Sequence, residues 1–85
     1  MFSAVFGSDA QRFLKKADKK IARRIIEKIE KLKIEPFPSN VKRVVGKKEK
    51  IFRVRVGDYR IQYSVFYDKN TIFVSDIDKR ERAYD

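Results

Sequence analysis

Apolar and polar residues alternate strictly on both sides of a Gly-Asp pair, in the segment FRVRVGDYRIQY from Phe52 to Tyr63. Such alternation is typical of β-strands, because successive side chains point to opposite faces of a sheet. A two-residue connection that begins with glycine is typical of a type II′ turn, so Gly57-Asp58 predicts a tight hairpin. Counting outward from the turn gives five predicted cross-strand pairs: Val56 with Tyr59, Arg55 with Arg60, Val54 with Ile61, Arg53 with Gln62, and Phe52 with Tyr63.

The predicted pairs separate into an apolar face and a cationic face. The cationic face carries Arg53, Arg55, Arg60 and Gln62. Like charges that face each other across two strands destabilise a sheet, so stability alone does not account for this arrangement. The planar guanidinium group suits phosphate oxygens, and we therefore predict that this face binds an anionic ligand. The alternative is a solvated face that long cationic side chains cover.

The N-terminal part of the chain has apolar residues at helical spacing. A short strand is predicted at 2–6, and a first helix follows, with Ser8 as its N-cap and Gln11 as the capping-box partner. Asp18 is predicted to cap a second helix, whose apolar residues occupy one broad arc. That arc consists of Ile21, Ala22, Ile25, Ile26, Ile29 and Leu32.

One flank of this second helix is basic. It is formed by Lys20, Arg24, Lys28 and Lys31, at spacings of four, four and three residues. Residues at such spacings lie side by side on a helix surface. The flank is either a solvated helix face or a surface that contacts phosphates or a partner protein.

The C-terminal half predicts further strands at 41–45, 59–67 and 71–77. A basic loop with Lys47, Lys48 and Lys50 precedes the central hairpin, and its lysines either contact phosphates or only increase solubility. The sequence does not decide the register of the last hairpin. A three-residue loop would place Phe73 and Ile77 in the core, and a four-residue loop would place Ile72 and Val74 there.

These elements predict one α+β domain over residues 1–85. We expect an antiparallel sheet, formed mostly by the C-terminal half, with both N-terminal helices packed on one face and the arginines on the other. A chain of this length forms one small core.

The charge of the chain favours a polyanionic partner. There are 22 Lys and Arg residues against 12 Asp and Glu, which gives a net charge of +10. Such a charge attracts nucleic acid and produces salt-dependent binding. An anionic membrane surface is the rival, but no long apolar run or signal-peptide pattern is visible, so we expect a cytoplasmic protein.

The residue types also limit the possible chemistry. The chain contains no Cys and no His, which excludes thiolate nucleophiles, imidazole bases and the usual zinc ligands. Asp76 and Asp78 are interpreted as charge balance and not as metal ligands. We expect neither a metal nor any other cofactor. The cations could bind phosphate passively or stabilise the charge that develops when a phosphodiester is cleaved.

The order of elements, a strand, two helices, a Pro-containing turn, Val-Val-Gly, FRVRVGDYRIQY and a terminal KRERAY, resembles the RelE/ParE superfamily of toxins, and specifically its RelE branch. The resemblance covers essentially the whole chain. Its specific parts are the Arg-x-Arg strand followed by Gly-Asp-Tyr-Arg, and the terminal Arg-x-x-x-Tyr.

The resemblance implies an endoribonuclease that cleaves messenger RNA in the ribosomal decoding site, by attack of a 2′-hydroxyl on the adjacent phosphate, and so inhibits translation. By position, Arg53 and Arg55 match the two basic strand residues. The implied roles are that Arg60 and Arg80 hold the scissile phosphate, and that Tyr84 stacks on a base or assists proton transfer. Well-known members carry lysines on the strand; arginine keeps its proton, so the general base would be Tyr84 or a ribosomal group.

The resemblance also implies partners. These are a RelB-like antitoxin, messenger RNA and the ribosome with its RNA, and we expect a monomer in the free state and a hetero-oligomer with the antitoxin. ParE-type members keep the fold and act on DNA gyrase. A gyrase inhibitor, or a basic RNA-binding module of the same fold, is therefore the alternative.

Overall fold

A five-stranded sheet with two helices forms the protein in a computed structural model that describes residues 1–44, 46 and 50–79. The strands are β1 (Ser3–Phe6), β2 (Lys42–Arg43), β3 (Phe52–Val56), β4 (Tyr59–Phe66) and β5 (Thr71–Lys79), and the helices are α1 (Ser8–Lys16) and α2 (Lys19–Ile34). The strand order is β1-β5-β4-β3-β2. Strand β1 runs parallel to β5, and the other neighbouring pairs are antiparallel. The predicted α+β class is confirmed, although the parallel pair makes the sheet mixed.

The two helices begin in different ways. Helix α2 begins as predicted, because the Asp18 carboxylate accepts a hydrogen bond of 3.0 Å from the Lys20 backbone N–H. The predicted capping box of α1 is wrong: Gly7 occupies the N-cap position, and Ser8 is already the first helical residue. The Gln11 side chain donates to the Phe6 carbonyl at 2.8 Å, which ties the start of α1 to the end of β1.

The central hairpin has the predicted register in all five pairs. Gly57 has a φ of 60° and Asp58 does not have a positive φ, which are the signs of a type II′ turn. A Cβ atom on Gly57 would also lie 2.8 Å from Nη2 of Arg24. Glycine is therefore favoured here by the left-handed backbone, whereas the exposed Arg24 side chain could move to make room for a Cβ atom.

The last hairpin combines features of the two loop alternatives. Residues 67–70 form a four-residue connection, with a single 3-10 turn at Tyr67–Lys69, and Ile72 and Val74 are buried as that alternative predicts. A β-bulge then shifts the register, so that Ser75 is the extra residue on β5. Ile77 consequently returns to the core side and is also buried.

The core lies between the helices and one face of the sheet. It consists of Ala10, Ile25, Ile29, Leu32, Val54, Ile61, Tyr63, Ile72, Val74 and Ile77. Full burial of a side chain such as Ile25 stabilises the fold by about 1.5 to 3 kcal/mol. Of the predicted apolar arc of α2, Ile26 is exposed. Neither helix is long and apolar enough to cross a membrane, as far as residues 1–44, 46 and 50–79 show.

The segment after α2 is attached to the sheet through Tyr63. This side chain is fully buried, and its hydroxyl donates to the Pro36 carbonyl at 2.5 Å. Phe37 and Phe52 contact each other edge to face, with ring centroids 4.9 Å apart. The strand predicted at 41–45 is reduced to β2, and position 45 lies outside the described residues.

We expect Tyr63→Phe to lower the free energy of unfolding by about 1 to 2 kcal/mol, because it leaves the Pro36 carbonyl without its donor. Tyr67→Phe is the matched control, since Tyr67 is exposed, and it should change stability by less than about 0.5 kcal/mol. Urea unfolding of the three proteins measures both effects. Equal stability of wild-type and Tyr63→Phe would show that this hydrogen bond contributes nothing.

The same tyrosine predicts a dependence of stability on alkaline pH. Burial raises the pKa of the Tyr63 hydroxyl well above its ordinary value of 10.0. The unfolded chain then loses this proton first, so the contribution of Tyr63 is complete below pH 10 and decreases above it. The advantage of wild-type over Tyr63→Phe should fall by about 1.4 kcal/mol per pH unit above pH 10. An advantage that is constant from pH 8 to 11 would contradict this.

Candidate nucleic-acid interface

The sheet face opposite the helices, called the open face below, carries the predicted arginines. Arg53 pairs with Gln62 on β4 and with Lys42 on β2. One step closer to the turn, Arg60 pairs with Arg55 on one side and with Asp78 on the other. The open face thus has two neighbouring cross-strand rows, Lys42–Arg53–Gln62 and Arg55–Arg60–Asp78.

The three arginines differ in accessibility. Arg55 is exposed and Arg53 is half-buried, whereas Arg60 is only 5% exposed. Nε of Arg60 lies 3.5 Å from Oδ1 of Asp78. The Asp78 carboxylate is therefore a group that can offset the repulsion between Arg55 and Arg60. The sequence interpretation of Asp78 was charge balance, and a cation beside its carboxylate is Arg60 on the neighbouring strand.

Lys42 is a cation of the open face that sequence reasoning missed. It pairs with Arg53 and lines a small depression together with Asn40, Arg53 and Arg55. The strand predicted at 41–45 reads Val-Lys-Arg-Val-Val, which does not alternate, so the pattern did not assign Lys42 to a face. The pairing with Arg53 supplies that assignment.

The other end of the open face is apolar. A cavity of about 340 Å³ lies there, and its lining includes Ile51, Phe66 and Phe73. The exposed Lys50 borders this cavity, so the structure places it at the apolar end and not among the arginines. Four other predicted site residues lie outside the described residues: Lys47, Lys48, Arg80 and Tyr84.

The basic flank of α2 lies on the helix layer, on the other side of the sheet from Arg53 and Arg55. Lys20, Arg24 and Lys31 are exposed and Lys28 is half-buried. The structure does not bring this flank together with the open face as one surface. Arg24 is the connection between them, because its guanidinium lies against Gly57 at the turn of the hairpin.

A second cleft, of about 630 Å³, lies between the helices and the ends of β4 and β5. Its floor contains Phe13 and Tyr59, whose rings meet edge to face at 5.7 Å. Its rim carries cations and carboxylates in equal number: Arg12, Lys16, Lys79, Asp9, Asp18 and Asp76. A balanced rim does not select anions, so the open face is the better candidate for a polyanion.

The chemistry of the open face is that of a fixed positive charge. Arginine stays protonated at any working pH, so Arg53 and Arg55 can stabilise negative charge but cannot accept a proton. Among residues 1–44, 46 and 50–79, no group of three or more acidic side chains is placed to hold a metal ion. The described part of the site therefore offers phosphate binding and electrostatic stabilisation.

Comparisons with known proteins agree on one class. A family model described as the ParE toxin of type II toxin-antitoxin systems, parDE, matches residues 5–84. A protein of Methanocaldococcus jannaschii designated RelE1 is 43% identical over 61 residues, which are 68% of this chain and 67% of that protein.

Solved structures have the same fold. A chain in the archaeal RelE-RelB complex from Pyrococcus horikoshii OT3 has a TM-score of 0.81 and 28% identity, over 96% of this chain and 98% of that one. A chain in the toxin-antitoxin complex RelBE2 from Mycobacterium tuberculosis has a TM-score of 0.80 and 25% identity, over 93% and 98%.

We expect Lys42→Gln to weaken binding of single-stranded RNA and to reduce the slope of log K against log salt by about 0.7, the value for one phosphate contact. Lys69→Gln removes the same charge in the exposed turn between β4 and β5, and it should leave the slope unchanged. Fluorescence anisotropy at several salt concentrations measures both slopes. Equal effects of the two variants would show that net charge alone, and not the open face, governs binding.

Proposed function

Because the chain belongs to the ParE toxin family of type II toxin-antitoxin systems, we propose that this RelE-like toxin inhibits translation by cleaving messenger RNA on the ribosome. The observation that carries the proposal is the pair of cationic rows on the open face. Lys42, Arg53 and Arg55 lie on adjacent strands in register, on the side of the sheet that the helices leave uncovered. An extended RNA backbone presents phosphates to such a surface.

The proposed reaction transfers the phosphoryl group within the RNA. The 2′-oxygen of one nucleotide forms a bond to the adjacent phosphorus, and the bond from that phosphorus to the 5′-oxygen of the next nucleotide breaks. The 2′-hydroxyl loses a proton, and the leaving 5′-oxygen gains one. Negative charge increases on the phosphate oxygens in the transition state, and preorganised cations stabilise it there more than in water.

The roles of individual residues follow from charge and from the family resemblance. Arg53 and Arg55 are the accessible cations and meet the phosphate backbone. The resemblance gives Arg60 and Arg80 the task of holding the scissile phosphate, and it gives Tyr84 base stacking or proton transfer. Arg80 and Tyr84 lie outside the described residues, so their roles stay predictions. The proton acceptor is Tyr84 or a group of the ribosome.

We also propose that a RelB-like antitoxin opposes the toxin. Support comes from the solved relatives of Pyrococcus horikoshii and Mycobacterium tuberculosis, which are both toxin-antitoxin complexes. A protein with a net charge of +10 attracts an acidic partner, and such a partner competes with RNA when it covers the same cations. The free toxin is then a monomer and the inhibited form a hetero-oligomer.

Inhibition of DNA gyrase is the second candidate function, because the matching family model is that of the ParE toxins. The presence of three arginines and Lys42 on one sheet face favours RNA cleavage. The two candidates are separated by two assays on purified toxin. Primer extension on messenger RNA bound to programmed ribosomes detects cleavage, and a supercoiling assay detects gyrase inhibition.

We expect Arg55→Thr to reduce cleavage on ribosomes by about ten-fold or more, the effect of losing about 1.4 kcal/mol of transition-state stabilisation. Stability should stay within about 0.5 kcal/mol, because Arg55 is exposed and threonine suits a strand.

Arg43→Thr is the matched control for that variant. Arg43 is also an exposed strand arginine, but it pairs with Phe52, which places it on the other face of the sheet. It should leave cleavage within about two-fold of wild-type, less than about 0.5 kcal/mol. A lower melting temperature of Arg55→Thr with unchanged cleavage would show that Arg55 is structural.

Binding of the antitoxin should weaken steeply with salt. Exposed charge pairs are weakly screened at about 50 mM salt and strongly screened at about 500 mM, and the toxin contributes a large positive field. Calorimetric titration of the purified toxin with its antitoxin at both concentrations measures the change. An affinity that does not depend on ionic strength would contradict an electrostatic interface.

A further inference from the structure

Asp78 is an acidic residue at the β5 end of a cross-strand row whose other two members are arginines. It lies on β5 directly opposite Arg60, and its side chain is 34% exposed, against 6% for the Arg60 side chain. A carboxylate at this position repels a phosphate that approaches the arginines of the same row, Arg60 on the adjacent strand and Arg55 one strand further away. For phosphate binding alone, an asparagine or a threonine would serve better here, so Asp78 needs a separate explanation.

The β-bulge is what brings Asp78 to Arg60. From Tyr63 to Phe66, β4 pairs with Val74 to Thr71, and beyond the bulge the pairing is shifted by one residue. If the first register continued, Ile77 would face Arg60, and Asp78 would fall opposite Tyr59 on the core side, because a one-residue shift exchanges the faces of a strand. One irregularity therefore buries Ile77 and also gives Arg60 a carboxylate neighbour.

The contact has a specific geometry. Oδ1 of Asp78 lies 3.5 Å from Nε of Arg60, which is the nitrogen nearest the aliphatic part of the side chain. A contact at Nε restricts rotation of the guanidinium plane, since that nitrogen is within the plane and donates in one direction only. An arginine side chain otherwise has many rotamers, and ordering them is costly.

We propose that Asp78 is a positioning residue that fixes the guanidinium of Arg60 for stabilisation of the RNA phosphate. This inference rests on the proposed function. Asp78 does not contact the RNA itself; it acts through Arg60 and keeps that charge in place between β4 and β5, beside the accessible Arg55. Asp78 lowers the net positive charge of the open face, but it holds the Arg60 guanidinium in one orientation. A preorganised cation of this kind stabilises the transition state.

This role predicts opposite effects on RNA binding and on cleavage. Asp78→Asn removes a negative charge, so RNA affinity should be equal to or higher than that of wild-type. Cleavage of messenger RNA on ribosomes should be slowed about ten-fold or more, mainly in kcat, because the charge of Arg60 is no longer held in place. If Asp78 only balanced charge, the variant would gain affinity without losing rate.

Asp76→Asn is the matched control. It removes the same charge from the same strand, but the Asp76 carboxylate accepts from the backbone N–H of Ile77 at 2.9 Å. Cleavage by Asp76→Asn should stay within about two-fold of wild-type, less than about 0.5 kcal/mol. A melting curve of each variant shows that it is folded.

Asp78→Glu keeps the charge and covers the case in which Asp78→Asn does not fold. The extra methylene group displaces the carboxylate, so a positioning role predicts slower cleavage, whereas charge balance alone predicts the wild-type rate. In an Arg60→Ala background, adding Asp78→Asn should change cleavage less than two-fold, because its effect passes through Arg60. The proposal would be overturned if folded Asp78→Asn or Asp78→Glu cleaved at the wild-type rate. It would also be overturned if Asp78→Asn slowed cleavage as much in the Arg60→Ala background as in wild-type.

An NMR measurement separates this inference from the proposed function. Inorganic phosphate is titrated into ¹⁵N-labelled wild-type and Asp78→Glu proteins while the Arg60 Nε–H signal is followed. The proposal expects a phosphate-dependent shift of this signal in wild-type and a clearly smaller one in the variant. Equal shifts, or none in wild-type, would overturn it. Absence of cleavage by wild-type toxin with the expected NMR result would reject the ribonuclease function and retain the positioning role.

Discussion

The left-handed backbone of Gly57 is the constraint on which the open face depends. A two-residue turn leaves the hairpin only one register, and a shift by one residue would exchange the two faces of a strand. In the observed register, Val54 and Ile61 are in the core and Arg53 and Arg55 are on the opposite face. The guanidinium of the exposed Arg24 lies next to Gly57, so a side chain from α2 also reaches the turn.

A second constraint acts on β5, where the bulge allows both halves of the strand to place apolar residues in the core. The first half of β5 buries Ile72 and Val74. The second half buries Ile77 and places Asp78 opposite Arg60 of β4. Strict alternation cannot satisfy both, because Val74 and Ile77 are three positions apart, and residues at an odd spacing lie on opposite faces of a regular strand. The extra residue, Ser75, resolves the conflict, and its hydroxyl donates to the Gln62 carbonyl at 3.3 Å. The bulge thus links core packing to the electrostatics of the open face.

An element could be predicted from the sequence when the residues that determine it lie close together in the chain. The central hairpin was fully predictable, since alternation and the turn residues act within twelve positions, and so was the Asp18 cap. The bulge was not, because it depends on how β5 packs into the core that the sheet shares with the helices. Lys42 could not be assigned, since the pairing of a two-residue strand is determined by its neighbour. The burial of Arg60 was missed for the same reason: its partner, Asp78, is 18 residues away, and only the sheet brings them together.

The open face has a cationic end and an apolar end, and this difference limits which partners can cover the whole face. Near the turn it presents Lys42, Arg53 and Arg55, whereas the cavity at the other end is lined by side chains such as Phe66 and Phe73. RNA phosphates match the first part only, and an apolar peptide matches the second part only. A protein that covers the whole face must supply carboxylates at one end and apolar side chains at the other. Under the proposed function, RNA and such a partner compete at the cationic rows, and the apolar end adds affinity for the partner alone.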